Sequence, residues 1–159
     1  MIDFEQLARN MEGEVMTDSL HQMIYATDAS AYREIPLAVV YPRDASDVKE
    51  CIKFARKNGI TLIPRAAGTS LAGQVVGNGV VVDVSRYMNH VLEINEKEHW
   101  VRVEPGVVLD ELNMRVKSLG LFFGPETSTS NRCCLGGMVG NNSCGSHSLV
   151  YGSTRDHLL

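Results

Sequence analysis

Positive charge is in short supply: 15 Lys and Arg stand against 19 Asp and Glu in 159 residues, a formal net charge of −4. Nucleic-acid binders carry a basic surplus, usually as a patch or stripe, so that class is excluded. Aromatic residues make up 6%, too few for the stacking platforms of a single-strand binder. No run approaches the roughly 20 apolar residues of a membrane span. The opening Met1-Ile2-Asp3-Phe4-Glu5-Gln6 has neither a basic nor an apolar signal-peptide region. The four cysteines, Cys51, Cys133, Cys134 and Cys144, form no Cys-x-x-Cys pair and are too sparse for a disulfide scaffold, which points to a reducing cytoplasm. The sequon-like Asn141-Asn142-Ser143 therefore reads as chance.

What is present is an ordinary globular composition, 44% hydrophobic and 21% charged, with the length of one domain. Residues 1–16 read as a short helix, with Phe4, Leu7, Ala8, Met11 and Val15 at helical spacing behind a capping Asp3. The polar stretch 26–32 reads as a loop. Residues 37–41 read as a buried strand closed by Pro42. Ser46 is expected to cap a helix with a buried stripe of Val48, Cys51, Ile52 and Ala55, ended by Asn58-Gly59. A strand at 60–63, closed by Pro64, follows. Such tight strand–helix–strand connections favour a parallel crossover. Residues 80–84 read as another buried strand, and 91–94 with 100–103 as a hairpin. Leu109, Leu112, Val116 and Leu119 mark a helix that stops at Gly120. From Gly124 onward the chain is rich in Gly, Ser, Thr and Asn, a composition that serves a ligand more than a core. The apolar ending at Leu158-Leu159 reads as a cut within a larger protein.

Two glycine segments carry the functional information. Pro64-Arg65-Ala66-Ala67-Gly68-Thr69-Ser70-Leu71-Ala72-Gly73-Gln74 leaves a strand and places small residues in succession. Small residues let backbone N–H groups approach a phosphate and form an anion nest. A surface turn using glycine for backbone freedom explains the same residues, and spacing alone leaves both open. Gln74-Val75 stands where a P-loop needs Lys and Ser/Thr, which excludes that motif. Gly-x-Gly-x-x-Gly follows no expected strand, which excludes an ordinary nicotinamide-binding Rossmann domain. In the second segment, Gly136-Gly137 opens a short helix. Either its free N–H groups face an anion, or the glycines permit a close packing contact.

Taken in order, 64–73, Ser85-Arg86-Tyr87-Met88-Asn89, Val103-Glu104-Pro105-Gly106, Gly124-Pro125, Gly136-Gly137 with Asn141-Asn142 and Gly145, and Tyr151-Gly152 resemble a known family. It is the flavoproteins with the vanillyl-alcohol-oxidase-type (PCMH-type) FAD-binding fold. The branch most similar is the FAD-linked dehydrogenases of D-lactate, glycolate and D-2-hydroxyglutarate. The resemblance implies an α+β fold with a helical lead-in at 1–35 and a two-lobed FAD-binding domain at 36–159. The first lobe would be a small parallel βαβ unit, and the second antiparallel, truncated and incomplete at the C-terminus. It implies extended FAD between the lobes, with the amides of 66–70 on the pyrophosphate. Pro64, Arg65, Ala66, Ala67, Gly68, Thr69, Ser70 and Gly73 are the implied contacts of the first loop. Pro125, Gly136, Gly137, Asn141, Asn142, Gly145, Tyr151 and Gly152 are those of the second. Ala66-Ala67 replaces glycines frequent in the family and leaves less room there.

The chemistry so implied is hydride removal from the α-carbon of a 2-hydroxy acid to flavin N5. The base, usually His, and the Arg that holds the carboxylate belong to a C-terminal cap domain absent from this chain, so no catalytic residue and no metal ligand is assigned here. Some relatives continue into an iron–sulfur module that accepts electrons. Some attach FAD covalently through a first-loop His, but no His lies between Tyr25 and Asn89, so non-covalent FAD is expected. The expected setting is the cytoplasm, with the inner face of a membrane as a peripheral alternative. Two other readings stand beside this one: a non-catalytic nucleotide- or phosphate-binding module, and the enolpyruvyl-sugar-nucleotide reductase branch of the same fold. The stretches 127–131 and 86–89 fit the hydroxy-acid branch better. His147 is a second-loop residue able to approach a flavin, whereas His90 and His99 read as surface. Cys133, Cys134, Cys144 and His147 lack zinc-site spacing.

Overall fold

The computed structural model describes residues 2–159, which divide into one unit ending at Met88 and a second spanning Asn89–Leu159. The first holds α1 (Phe4–Arg9), β1 (Glu14–Met16), α2 (Ser19–Ile24), β2 (Ala38–Tyr41), α3 (Ala45–Asn58), β3 (Leu62–Arg65) and β4 (Val80–Asp83). Its sheet has the order β1-β2-β4-β3, with β2, β4 and β3 parallel and β1 antiparallel to β2. All four residues of β2 and of β4 are buried, as expected of central strands covered on both faces. Side chains alternate across the sheet. Ala38, Val40, Val80 and Val82 meet Leu7, Cys51 and Phe54 on one face. Val39, Val81, Tyr41 and Ile63 form a second cluster with Met16, Tyr25, Val75 and Tyr87.

Several local expectations are corrected. The helix expected over 1–16 ends at Arg9, and Val15 lies in β1. The buried Asp47 carboxylate causes this switch by accepting the N–H groups of Glu12, Gly13 and Arg43 at 2.8–3.0 Å. Gly13 fits because a Cβ there would overlap the Tyr41 carbonyl. The cap of α3 is Asp44, not Ser46: its Oδ1 accepts the N–H of Ser46 at 2.7 Å and of Asp47 at 3.1 Å. Ile52 is exposed, and Phe54 takes its place in the stripe, with its ring 5.6 Å from that of Phe4. β3 continues through Pro64 to Arg65, which an edge strand tolerates because one side needs no ladder donor. Helix α2 was not anticipated; Asp18 caps it by accepting from Leu20 and His21.

The second unit begins with the hairpin of β5 (Val91–Asn95) and β6 (Trp100–Val103), antiparallel as expected. Next comes α4 (Leu109–Val116), prolonged by a 3-10 turn to Leu119 and stopped by Gly120 at φ +70°. Leu109, Leu112 and Val116 are buried with Val107, Cys133, Leu135 and Met138, and Val91, Val101 and Val103 pack on them. Helices α5 (Leu135–Asn141) and α6 (Ser148–Tyr151) and a 3-10 turn (Thr154–His157) complete the unit.

Candidate functional site

The first glycine loop leaves the carboxyl end of β3, where open α/β sheets place their ligands. Gly68 and Gly73 stand at φ +63° and +68°, the left-handed region that favours glycine. A Cβ on Gly68 would come within 2.8 Å of the Arg65 guanidinium, and one on Gly73 within 2.5 Å of the Tyr32 ring. Among the described residues, none of the five amides from Ala66 to Ser70 donates to a protein acceptor. The loop is held by other groups. Gly68 O accepts the N–H of Ala29 at 3.1 Å. Ser70 Oγ donates to the Gln74 side chain and accepts the N–H of Ala72. Arg65 Nη1 donates to Thr27 O at 2.8 Å, with its guanidinium 4.9 Å from the Tyr25 ring centre.

A strap over residues 25–34 therefore braces this loop, and sequence reasoning had passed it over as a connection. Tyr25 anchors one end by donating to the buried Asp83 at 2.6 Å; Asp83 also accepts from the N–H and Oγ of Ser85. Burial, then the bond to Asp83, pushes the Tyr25 hydroxyl well above the usual phenol range. The strap closes on itself through a Thr27–Arg33 bridge and a bond from Glu34 N to Ala26 O. One signal for it was available: Asp28-Ala29-Ser30 is an Asx-turn sequence, and Asp28 Oδ1 does accept from Ser30 N at 2.8 Å. The 85–89 stretch is structural on the side shown: Arg86 pairs with Glu14 at 3.5 Å and stacks on Tyr41 and Tyr87, and Tyr87 donates to Glu14. The bond to Glu14 raises the Tyr87 pKa.

In the second unit, of the two readings left open for the start of α5, close packing holds for its first two residues. Leu135 N donates to Val107 O at 2.9 Å and Gly136 N to Pro105 O at 2.8 Å. A Cβ on Gly136 would lie 2.5 Å from Pro105 Cβ, so close packing is its reason. Gly145 is tighter still, with a Cβ overlapping the Glu126 carbonyl. Asn142 ends α5 at φ +46° and accepts the N–H of Arg155 at 3.0 Å, so it acts as a cap. Beside these, Thr154 is fully buried and donates from N and Oγ1 to Ser143 O. Pro125 is buried, and Gly152 sits at φ +75°. Tyr151 stacks edge-on with Phe122 and, with His147, Leu109, Asp110 and Asn113, lines a cleft of about 290 Å³. His147 Nδ1 lies 2.6 Å from Glu126 Oε2 at its exposed rim. No cluster of metal-ligating side chains occurs among the described residues, and none of their helices is long and apolar enough to cross a membrane.

Comparison with known proteins places this geometry. A family model described as an FAD binding domain matches residues 36–159. The chain is 44% identical to the D-2-hydroxyglutarate dehydrogenase of Pseudomonas putida, over 99% of this chain and 16% of that protein. It is 45% identical to the Escherichia coli protein of the same name, over 92% and 15%. The glycolate oxidase subunit GlcD of Bacillus subtilis is 32% identical over 98% and 34%. The chain thus spans under a fifth of the length of these two dehydrogenases and about a third of the GlcD subunit. Among solved structures, alkyldihydroxyacetonephosphate synthase superposes with a TM-score of 0.84 at 22% identity, over 96% of this chain and 34% of that one. 6-Hydroxy-D-nicotine oxidase from Arthrobacter nicotinovorans gives 0.77 at 23%, over 92% and 32%. These likenesses show the expected α+β fold of PCMH-type flavoproteins. With the family match covering both glycine segments, the chain belongs to the FAD binding domain family, and its cofactor is FAD.

Proposed function

We propose that the chain is the FAD-binding part of a flavin-dependent dehydrogenase that oxidises a small D-2-hydroxy acid of the lactate, glycolate or 2-hydroxyglutarate kind. The observation that carries this reading is the run of five amides at 66–70 without a protein acceptor, in a loop shaped by Gly68 and braced by the strap. Such a run suits an anion as large as a pyrophosphate. The names of the relatives supply the substrate class. FAD held by these residues would supply a hydride-accepting flavin N5. The chain's own part is to bind and orient: 66–70 take the pyrophosphate, and Thr69 and Ser70 add hydroxyls. Arg65 fixes the strap and contributes positive charge. The contacts assigned to the second unit are Pro125, Gly137, Asn141, Gly145, Tyr151 and Gly152, while Gly136 and Asn142 act by packing and capping. The cofactor domain is 36–159, and the lead-in 1–35 lends it β1 and the strap. The base, the carboxylate-binding groups and an electron acceptor such as a fused iron–sulfur module are placed outside these 159 residues. A reducing, cytoplasmic setting agrees with four free cysteines.

The test uses the full-length protein. It is expected to purify with FAD, to release all of it on acid precipitation, and to lose its flavin absorbance when one of the three acids is added without oxygen. FAD that binds but is bleached by none of them overturns the dehydrogenase in favour of a binding module. Reduction by NADPH followed by reoxidation with an enolpyruvyl sugar nucleotide assigns the reductase branch instead.

A further inference from the structure

Helix α2 has its two faces inverted. His21 and Tyr25, four residues apart, share the side turned to the protein with Gln22. The His21 ring lies 6.3 Å from that of the buried Tyr41. Gln22 Nε2 donates to Leu37 O at 3.0 Å, and Tyr25 donates to Asp83. Leu20, Met23 and Ile24 are left pointing outward, 49–65% exposed. Ile35 and Leu37, 51% and 37% exposed, extend this surface. The Gln22 bond and a bond from Arg33 Nη2 to Met23 Sδ hold their segment against the helix. A surface helix ordinarily buries its apolar residues and wets its polar ones. Single exposed apolar side chains need no explanation, but several gathered on one turn and the segment beside it form a patch of the kind that marks an interface.

We propose that this patch is the docking surface for the substrate-binding part of the same polypeptide, which lies outside residues 1–159. The proposal rests on the dehydrogenase reading above and adds to it the surface on which that part is mounted. Size decides between this occupant and a second copy of the chain. Aliphatic side chains in this number, about half exposed, amount to on the order of 300 Å² of apolar surface. A stable interface between separate molecules takes about 800 Å² from each. A segment joined to the patch through its own backbone is held at a high effective concentration and docks on much less. Chain for this purpose exists in the relatives, of whose length these residues make up about a third or less. The position of α2 gives the docking a use. The helix runs through Tyr25 into the strap, which is bonded at Thr27 to Arg65 and at Ala29 to Gly68. A substrate-binding part mounted on α2 therefore shares one frame with the cofactor loop. Catalysis depends on such a frame, because a misplacement of about 1 Å can cost on the order of 100-fold in rate.

The experiment uses the full-length protein. Ile24→Cys is treated with a soluble maleimide, and its labelling is followed by peptide mass to separate it from the exposed Cys144. Labelling is expected to run at least tenfold slower than in the urea-unfolded protein, at a rate that does not change on dilution. A rate near the unfolded one shows a solvated face and overturns the proposal. Protection that disappears on dilution assigns the face to a second copy and overturns it as well. Met23 supplies a measurement on the wild-type chain: its thioether should resist hydrogen peroxide until the protein unfolds, and oxidation in the folded protein counts against docking. The functional arm compares Ile24→Glu with Ile52→Glu, an exposed apolar residue on α3. Ile24→Glu is expected to lower kcat/KM for the hydroxy acid at least tenfold with FAD affinity within twofold of wild type, and Ile52→Glu to change neither. Full activity in Ile24→Glu, or a loss of FAD as large as the loss of activity, overturns the proposal. If the wild-type protein oxidises none of the three acids, the dehydrogenase reading fails, while labelling at position 24 and oxidation of Met23 still decide whether the same polypeptide covers α2.

Discussion

At 66–73 the glycines adopt positive φ, and the atoms that crowd them are the ends of side chains, Arg65 and Tyr32. At Gly136 the crowding atoms are the rigid ring and the carbonyl of Pro105, and at Gly145 the Glu126 carbonyl. The first loop keeps its amides unspent, whereas the second donates its leading ones to Val107 and Pro105. A side chain added to the first loop meets groups that can move, so its cost falls on the ligand. One added to the second meets backbone or a proline ring, so its cost falls on the fold. Composition alone does not separate a glycine kept for a ligand from one kept for packing; the separation comes from what stands where the Cβ would be.

The largest break in this contrast is expected at Gly145. Gly145→Val places carbons inside the Glu126 carbonyl and should destabilise the protein by about 4 kcal/mol, near the extreme for single substitutions. Urea denaturation of the holoprotein measures it; a loss under 1 kcal/mol would show that the second segment yields as easily as the first. Gly136→Ala is next, at about 2 kcal/mol, the usual scale of overpacking, because only Pro105 must shift. Gly68→Ala should cost the fold only about 1–2 kcal/mol, the cost of a left-handed alanine, yet weaken FAD tenfold or more by displacing the Arg65 guanidinium and the amides beside it. Equal losses of stability at Gly68 and Gly145, with FAD affinity kept, would erase the distinction.

The smallest effect is a pH dependence confined to the first unit. Burial pushes the Cys51 thiol up to about 12, and Asp47 adds to the shift. Both Cys51 and Tyr25 are neutral in the fold with a pKa raised above its unfolded value. Their contribution is complete below the unfolded values, near 9.0 for Cys51 and 10.0 for Tyr25, and is lost as the pH rises above them. Near neutral pH neither group changes stability, and a decline should appear only as the pH climbs past about 9. Cys51→Ala should remove the earlier part of that slope and Tyr25→Phe the later part, as read by denaturation at a series of pH values. A slope unchanged in both would place the alkaline sensitivity elsewhere.

The features legible in the sequence were those with a local cause. Valine runs marked β2 and β4, Gly59 and Gly120 marked helix ends at positive φ, and the spacing of Leu109, Leu112 and Val116 marked a buried stripe. Each depends on the propensities of residues within a few positions of one another. The motif order of the two glycine segments likewise sufficed to indicate an FAD-binding fold. Features that depend on distant partners were not legible. Val15 continues a helical pattern, yet Asp47, more than thirty residues away, binds the preceding amides and turns the chain into β1. Gly136-Gly137 has the look of an open helix start, but Pro105 and Val107 take the first amides.

By itself, then, the sequence determined the central strands, the two longest helices, the family and the cofactor, because periodicity and a contiguous motif act over short range. Only the tertiary structure decided which glycines leave amides for a ligand, that Arg65 is committed to Thr27 and Tyr25, and that Asp28 keeps one oxygen without a donor. Those outcomes require chain segments tens of residues apart to be packed together before any hydrogen bond among them can be made or left unmade.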